Sequence, residues 1–351
     1  MKKSRTEFVS WASLDMCDCA GACAARFQST IRRALALMWV VTGLSSITAR
    51  GEPTAEGAWK LGVEHFYNFE FAEALPYLRD AFKSSGRSES NPKYRYWLSK
   101  ALWVRMLDEQ VDINQDFMTA VLEKNLADPG LVSKDLKEEF SALTGEGIEL
   151  GNRQLQNTPG KIEALYYLAA FRSNLAAYKL LVDGRRFGAL SDLKQSMRGF
   201  QRVLERDSSN LLALTALGMA HYMVGSSPWY VRMFNPILGL EGTRSQGLSE
   251  LESAAKLGNT DAKFMLKAAL AREHRVAEAL VLLQELSKSY PRNIPFRLQL
   301  AQVLASLGRR EEAKELFEEV LRRVATDRTV DRRYTPAKVK ELARQSNVTS
   351  P

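Results

Sequence analysis

Two stretches near the C-terminus repeat one pattern of apolar and polar positions with an offset of 34 residues. Each has apolar residues at helical spacing, then a short polar turn, then a second amphipathic run. The matched positions are Leu266, Leu270, His274, Glu278, Ala279 and Leu286 in the first stretch, and Leu300, Leu304, Gly308, Glu312, Ala313 and Val320 in the second. A fixed period of this length is typical of stacked helical hairpins. The pattern therefore predicts helix, turn and helix in both stretches.

The rest of the chain also favours helices. Leu and Ala recur at helical spacing, and no run alternates Val, Ile or Thr as a strand would, so the sequence predicts an all-α class. Helices are expected over 55–68, 94–107, 161–181, 190–204, 211–224 and 245–257, with a last helix from Thr335-Pro336 to about Gln345. Between 112 and 157 we expect two or three helices, broken at Pro129-Gly130 and over 144–147.

Three segments carry a resemblance to tetratricopeptide repeats. The matching residues are Leu61-Gly62, Phe71-Ala72-Glu73-Ala74, Leu78 and Ala81 in the first segment, Ala279, Leu283, Leu286 and Pro291 in the second, and Leu300, Ala301, Ala313 and Phe317 in the third. The resemblance implies a right-handed superhelical solenoid of antiparallel helix pairs over 50–330, with degenerate middle repeats. Its clearest repeats would be 55–86, 260–293 and 294–327, and 331–351 would form a C-terminal capping helix and tail.

The first 49 residues are typical of an export signal. Arg32 and Arg33 precede the mainly apolar run 34–44, and small residues follow up to Ala49. This order predicts a secretory signal peptide or pre-sequence over 1–49. The apolar run is short for a membrane span. We therefore expect an exported protein, periplasmic or associated with an envelope membrane; an N-terminally anchored or a cytoplasmic protein are the alternatives.

Charge and cysteine usage narrow the range of partners. The net charge is +8, and the first 49 residues contribute +3 of it, which leaves about +5 for the remainder. No basic run or recognition motif accompanies this mild excess, so we expect no nucleic-acid partner. Cys17, Cys19 and Cys23 all lie in the pre-sequence, and no fourth ligand stands near them, so they predict neither a disulfide nor a metal site.

The sequence contains few features that are typical of an enzyme. The chain has no HExxH, GxSxG, P-loop or GxGxxG sequence. His65 and His221 fall at a core position of the repeat pattern and His274 in a turn, so all three are interpreted as structural. The sequence therefore predicts a protein that is not an enzyme and uses no cofactor or metal. The alternative is an enzyme with a site in the non-consensus middle, 110–210.

The resemblance also implies where a partner would bind. In tetratricopeptide arrays the first helix of each pair lines a concave groove. By register, the groove residues would be Trp59, Val63, Phe66, Tyr67, Phe264, Ala268, Arg272, Leu298 and Gln302. Such an aromatic, mostly uncharged lining suits an extended peptide or an apolar ligand. The alternative interpretation is that the aromatic residues pack against a neighbouring repeat.

An insert at 226–242 departs most from the repeat pattern. It holds two prolines and a cluster that includes Trp229, Tyr230 and Phe234. It would either pack into the array or form an exposed apolar patch that docks on a membrane or partner.

Together these features predict a non-catalytic scaffold or adaptor of the cell envelope that binds a protein or peptide in its groove. One further alternative is a solute-binding accessory of a transport system, with an apolar cavity around Trp59, Trp97 and Trp229. The sequence makes no prediction of oligomeric state.

Overall fold

The computed structural model describes residues 54–86, 92–112, 132–183, 185–226, 240–327 and 329–348. Within these ranges the chain is all-helical. The helices are α1 (Ala55–Tyr67), α2 (Phe71–Ser84), α3 (Pro92–Asp108), α4 (Lys134–Asn157), α5 (Ile162–Leu181), α6 (Arg186–Leu204), α7 (Leu211–Gly225), α8 (Arg244–Lys256), α9 (Thr260–Arg272), α10 (Val276–Ser289), α11 (Ile294–Ser306), α12 (Arg310–Thr326) and α13 (Pro336–Gln345). The all-α prediction is confirmed.

Successive helices pack in pairs, and successive pairs pack on one another. The pairs α1–α2, α3–α4, α5–α6, α7–α8, α9–α10 and α11–α12 each share an extensive contact, and α13 packs on α12. Small residues let the two helices of a pair approach closely. A Cβ atom built on Gly62 of α1 would lie 2.7 Å from Leu78 of α2. This stacking of helical hairpins is the solenoid that the 34-residue period predicts.

The array has an inner and an outer layer. The odd-numbered helices α3, α5 and α7 are buried on nearly every face, whereas α4, α6 and α8 bury one stripe and expose the opposite face. A helix with polar residues on one face and apolar residues on the other is suited to the outside of such an array. One hydrophobic core runs through the whole stack.

Helix α4 corrects one prediction. The chain does not break over 144–147, because α4 runs without interruption from Lys134 to Asn157. Its glycine lies at a helix contact, where a Cβ atom on Gly147 would come within 2.6 Å of the Phe171 ring. Thr144 is fully buried. The small residues that suggested a break therefore serve close packing. The predicted break at Pro129-Gly130 lies outside the described residues.

Several helix ends follow standard capping chemistry. Asn210, Asn259 and Asn293 each accept a hydrogen bond from the backbone of the following first turn. Thr335 caps α13 through Lys338 N–H, and Pro336 occupies the first turn, as the sequence predicts. His274 and Gly308, which correspond in the 34-residue pattern, both have positive φ, 60° and 80°. Each ends the first helix of a hairpin in the left-handed conformation.

Two other sequence predictions concern residues that lie outside the described ranges. Trp229, Tyr230 and Phe234 of the aromatic insert lie outside the described residues, which resume at Leu240. The segment 1–49 lies outside them as well. In the part of the chain that the structure describes, no helix combines the length and apolarity needed to cross a membrane.

Candidate functional site

The two ends of the array touch each other. Helices α1 and α3 contact Asp261 of α9. Tyr67 of α1 contacts Asn293, the cap of α11, and Glu70 contacts Arg323 of α12, so all these contacts join residues more than 160 positions apart in sequence. We name this contact the closure contact. It consists of an aromatic region around Tyr67 and three ionic clusters centred on Asp261, Glu70 and Asp108. It lies at the place where the sequence predicts a groove.

Most of the predicted groove residues are buried at or beside this contact. Trp59, Val63, Phe66, Tyr67, Phe264, Ala268 and Leu298 are all less than 9% exposed. Arg272 and Gln302 retain partial exposure. The aromatic side chains are therefore covered by the protein's own residues in this arrangement. Their contact with a partner stays a prediction.

The structure brings predicted groove residues of the first and the next-to-last repeats together. Tyr67 stacks on Tyr290, with ring centroids 5.1 Å apart. Phe66, Tyr67 and Phe264 line the same cavity, which measures about 20 Å³. That volume holds about one water molecule, which is too little for a solute. These aromatic rings therefore pack across the closure contact and not only against neighbouring repeats.

Two of the three tryptophans around which the sequence predicts a solute cavity lie in the described part of the chain. Trp59 and Trp97 are both buried and meet edge to face, with ring centroids 6.3 Å apart. The ammonium of Lys93 lies 3.3 Å from the centroid of the Trp59 ring, a cation–π contact. Trp229 lies outside the described residues.

A buried ion pair forms the centre of the closure contact. Lys100 Nζ of α3 lies 3.0 Å from Asp261 Oδ2 of α9, and both side chains are fully buried. Tyr67 of α1 donates its hydroxyl to Asp261 Oδ1 at 3.1 Å. Burial lowers the pKa of Lys100, and the charge of Asp261 partly offsets this effect. The pair thus joins the second and the fifth hairpins through a carboxylate that also binds Tyr67 of the first hairpin.

The ammonium of Lys100 also lies among aromatic rings. Its distance to the ring centroid is 4.5 Å for Trp97 and 5.2 Å for Phe66. Both contacts are within cation–π range. The aromatic faces and Asp261 together compensate for removing this charge from water.

The second cluster gathers three cationic or ionisable partners on Glu70, the residue before α2. The carboxylate of Glu70 accepts from His65 Nδ1 at 2.7 Å, Arg292 Nε at 3.1 Å and Arg323 Nη2 at 2.6 Å. Burial would raise the pKa of Glu70, but the hydrogen bond from His65 and the two arginines outweigh it, and the pKa is lowered. Arg292 also pairs with Glu64 at 2.9 Å. The cluster ties the first hairpin to the beginning of α11 and to α12.

The third cluster joins the end of α3 to the segment between α12 and α13. Arg333 binds the carboxylate and the backbone carbonyl of Asp108. Arg105 Nη1 lies 2.8 Å from Asp331 Oδ2. Burial raises the pKa of Asp108 to about 6, against the opposing charges of Arg333 and Arg105. This cluster fixes the C-terminal segment on the second hairpin.

Backbone contacts complete the closure. Asn293, the cap of α11, donates its side-chain amide to the carbonyl of Tyr67 at 2.8 Å. The backbone N–H of Arg292 donates to Asn68 Oδ1 at 3.0 Å. These hydrogen bonds fix the relative position of the two ends, so the first hairpin is seated on the C-terminal repeats in one register.

Two of the three histidines contact glutamate side chains, and the third lies in a turn. His221 is buried, and its Nδ1 lies 2.7 Å from Glu250 Oε2. His65 contacts Glu70 and stacks on Tyr77 with ring centroids 5.5 Å apart. His274 is exposed in the turn after α9. No group of three or more His, Cys, Asp or Glu side chains suited to a metal ion occurs among the described residues.

The ionic side chains of the closure contact are not among the site residues predicted from the sequence. A signal was present in α3, where Lys100 interrupts the apolar run from Tyr96 to Leu107. A charged residue in the middle of a buried helix implies a buried partner of opposite charge. The identity of that partner had no local signal, because Asp261 occupies an ordinary first-turn position of α9.

Comparison with known proteins agrees with the geometry of the C-terminal hairpins. Residues 270–332 match a tetratricopeptide-repeat family model. The matched region begins near the end of α9 and includes α10, α11 and α12. The match identifies this C-terminal region as tetratricopeptide repeats. No curated protein matches the chain.

Proposed function

We propose that the protein is a non-catalytic tetratricopeptide scaffold of the cell envelope that binds a protein or peptide partner. The observation that carries the proposal is the stack of helical hairpins whose C-terminal members match the tetratricopeptide model. Arrays of this kind generally work through extended surfaces that other proteins recognise. The export-like order of residues in 1–49 supports a place in the envelope.

The closure contact restricts where a partner binds. Trp59, Phe66 and Tyr67 are covered, so a partner that approaches the closed array meets the partly exposed groove positions first. Those positions are Arg272 at the end of α9 and Gln302 in α11. Arginine and glutamine offer hydrogen-bond donors that suit a peptide backbone or carboxylate. We place the first contact with the partner on this rim of the predicted groove.

Affinity capture with matched variants tests the proposal. The full chain, an Arg272→Ala/Gln302→Ala variant and a control variant would be used on envelope and soluble fractions of cells that express the protein. The control is Gln284→Ala/Arg310→Ala, which changes exposed residues of the outer helices α10 and α12. We expect a saturable partner from the envelope fraction that the control retains and the rim variant loses.

Other outcomes would count against separate parts of the proposal. Equal capture by both variants would place the partner elsewhere on the array. A partner found only in the soluble fraction would contradict the envelope location. Turnover of a small molecule by the purified chain would contradict the non-catalytic role.

A further inference from the structure

The exposed face of α6 carries a row of cationic side chains with no partner among the described residues. Lys194, Arg198 and Arg202 of α6 follow one another at intervals of four residues, and Arg206 follows at the same interval in the turn after the helix. The three arginines are exposed and Lys194 is half-buried. Residues four apart lie on the same side of a helix, so Lys194, Arg198 and Arg202 form one row, and Arg206 continues it in the turn that follows. The row extends over about 18 Å, at 1.5 Å per residue.

Most of the other arginines of the described chain form ion pairs, whereas the three arginines of this row form none among the described residues. Arg79, Arg95 and Arg105, for example, each form an ion pair with a carboxylate. Two acidic residues near α6 have other partners. Asp192 is buried and paired with Lys179 at 2.5 Å. The carboxylate of Asp207 accepts from Ser209 and Asn210 within its own turn.

The surrounding sequence is also basic. From Arg153 to Arg206 the chain has ten Lys and Arg against four Asp and Glu. Glu205, the exposed residue that follows α6, forms no ion pair with the row among the described residues. Most of the positive charge outside the pre-sequence is therefore concentrated in this part of the array, and it produces a local attraction for anions.

The apolar side of α6 is buried inside the protein. Leu193, Met197, Phe200 and Val203 are buried, and α6 has an extensive contact with α5. The helix therefore has no apolar face to insert into a bilayer, as a membrane-surface helix would. Its free face offers charge alone.

Carboxylates on the neighbouring outer helices would repel a broad anionic surface. On α4, the outer helix of the preceding pair, Glu146 is 61% exposed and Glu149 is exposed too. On α8, the outer helix of the following pair, Glu252 is partly exposed. A flat anionic membrane would bring these carboxylates close to its own charges. A narrow acidic segment along α6 avoids them.

We propose that the row Lys194, Arg198, Arg202 and Arg206 is a docking site for an acidic segment of a protein partner. Guanidinium groups bind carboxylates through two parallel hydrogen bonds, which suits glutamate or aspartate side chains presented along one line. This inference deepens the proposed scaffold role, because it names the chemistry of one partner surface.

A binding experiment on the full chain tests the docking site without knowledge of the natural partner. The probe is a fluorescently labelled polyglutamate peptide about 12 residues long, which matches the row when helical. We expect binding that weakens steeply with salt. The Arg198→Glu/Arg202→Glu variant should lower the affinity at least tenfold.

A matched control separates the row from net charge. Arg310→Glu/Arg322→Glu makes the same charge change at exposed positions of α12 and should keep the affinity within about twofold, since it acts mainly through screened long-range charge. An equal loss in both variants would overturn the proposal, as would the absence of peptide binding. Stronger binding to vesicles containing phosphatidylglycerol, lost in the α6 variant, would assign the row to a membrane and also overturn it.

The test is independent of the scaffold role. If the peptide does not bind but an envelope partner is captured, the scaffold role is still supported. The partner then binds at a surface other than the α6 row. Failure to capture a partner leaves the peptide result unaffected. If a partner is captured, the α6 charge reversal should release it, while the α12 reversal should not.

Discussion

Lys100 and Asp261 lie 161 residues apart in sequence, yet they form a fully buried ion pair with Nζ 3.0 Å from Oδ2. A buried charge is tolerated only when it is paired. The pair therefore requires α3 and α9 to remain in contact whenever the protein is folded. It makes the contact between the two ends of the array part of the native structure.

Removing either partner of this pair should destabilise the protein strongly. Lys100→Met leaves the carboxylate of Asp261 buried without its cationic partner Lys100, and should lower the free energy of unfolding by about 3–5 kcal/mol. Asp261→Asn should have a similar effect. The double variant should cost less than the sum of the two by about 2 kcal/mol, measured by urea denaturation. Additive effects would contradict the pairing.

The Glu70 cluster should make the closure contact sensitive to acid. Glu70→Gln should lower the free energy of unfolding at neutral pH by about 1–3 kcal/mol, because charge-assisted hydrogen bonds to Arg292 and Arg323 are lost. The pKa of Glu70 is lowered below its ordinary value of 4.5. The stabilisation is therefore complete above pH 4.5 and is lost as the pH falls through the folded pKa.

Thermal unfolding of the wild type and the Glu70→Gln variant, compared at several values of pH, measures this dependence. The titratable groups that face the carboxylate are His65, Glu73, Arg292 and Arg323. The difference in Tm should shrink towards zero below pH 4.5, provided the fold persists there. Glu312→Gln, which removes an exposed pair with Arg309, should leave Tm unchanged. A difference that grows in acid would refute the assigned role of Glu70.

Two glycines two residues apart in α4 should respond in opposite directions to the same substitution. Gly147→Ala places a methyl group 2.6 Å from the Phe171 ring and should destabilise by about 1–3 kcal/mol. Gly145→Ala meets nothing within 4 Å, so the gain in helix propensity should stabilise by about 0.5–1 kcal/mol. Equal effects in chemical denaturation would show that α4 does not pack on α5 as described.

The turn after α9 offers a stabilising substitution. His274 has a φ of 60°, where the corresponding residue of the next repeat is Gly308. A side chain in this conformation is strained. His274→Gly should raise the free energy of unfolding by about 0.5–1 kcal/mol after the added flexibility of the unfolded chain is counted. Gly308→Ala should lower it by about 1 kcal/mol, and a gain from this control would be inconsistent with the turn geometry.

Local features of the fold could be predicted from the sequence, and contacts between distant residues could not. The helices α9 to α12 follow from the 34-residue pattern, because apolar spacing and capping residues act over a few turns. The Lys100–Asp261 pair could not be predicted, since each residue shows only its own local setting. Gly147 was misread because a glycine at a tight helix contact and a glycine at a break look alike in sequence.

The groove residues show the same limit. The register predicted Phe66, Tyr67 and Phe264 to line a groove, and the structure shows that all three are buried. It could not show that Tyr67 meets Tyr290, because that depends on how far the array curves before its ends touch. The α6 row, in contrast, was visible as four basic residues at one spacing, but its lack of partners required the structure.

The most direct test of the closed array is a distance measurement between its two ends. Spin labels at Ala72→Cys and Ser289→Cys, with Cys17, Cys19 and Cys23 replaced by Ser, mark exposed positions beside Glu70 and Tyr290. Pulsed electron paramagnetic resonance should give one narrow distribution at the short end of the measurable range. A broad distribution centred on long distances would show that the first hairpin stands free of the C-terminal repeats, and would contradict the closure contact.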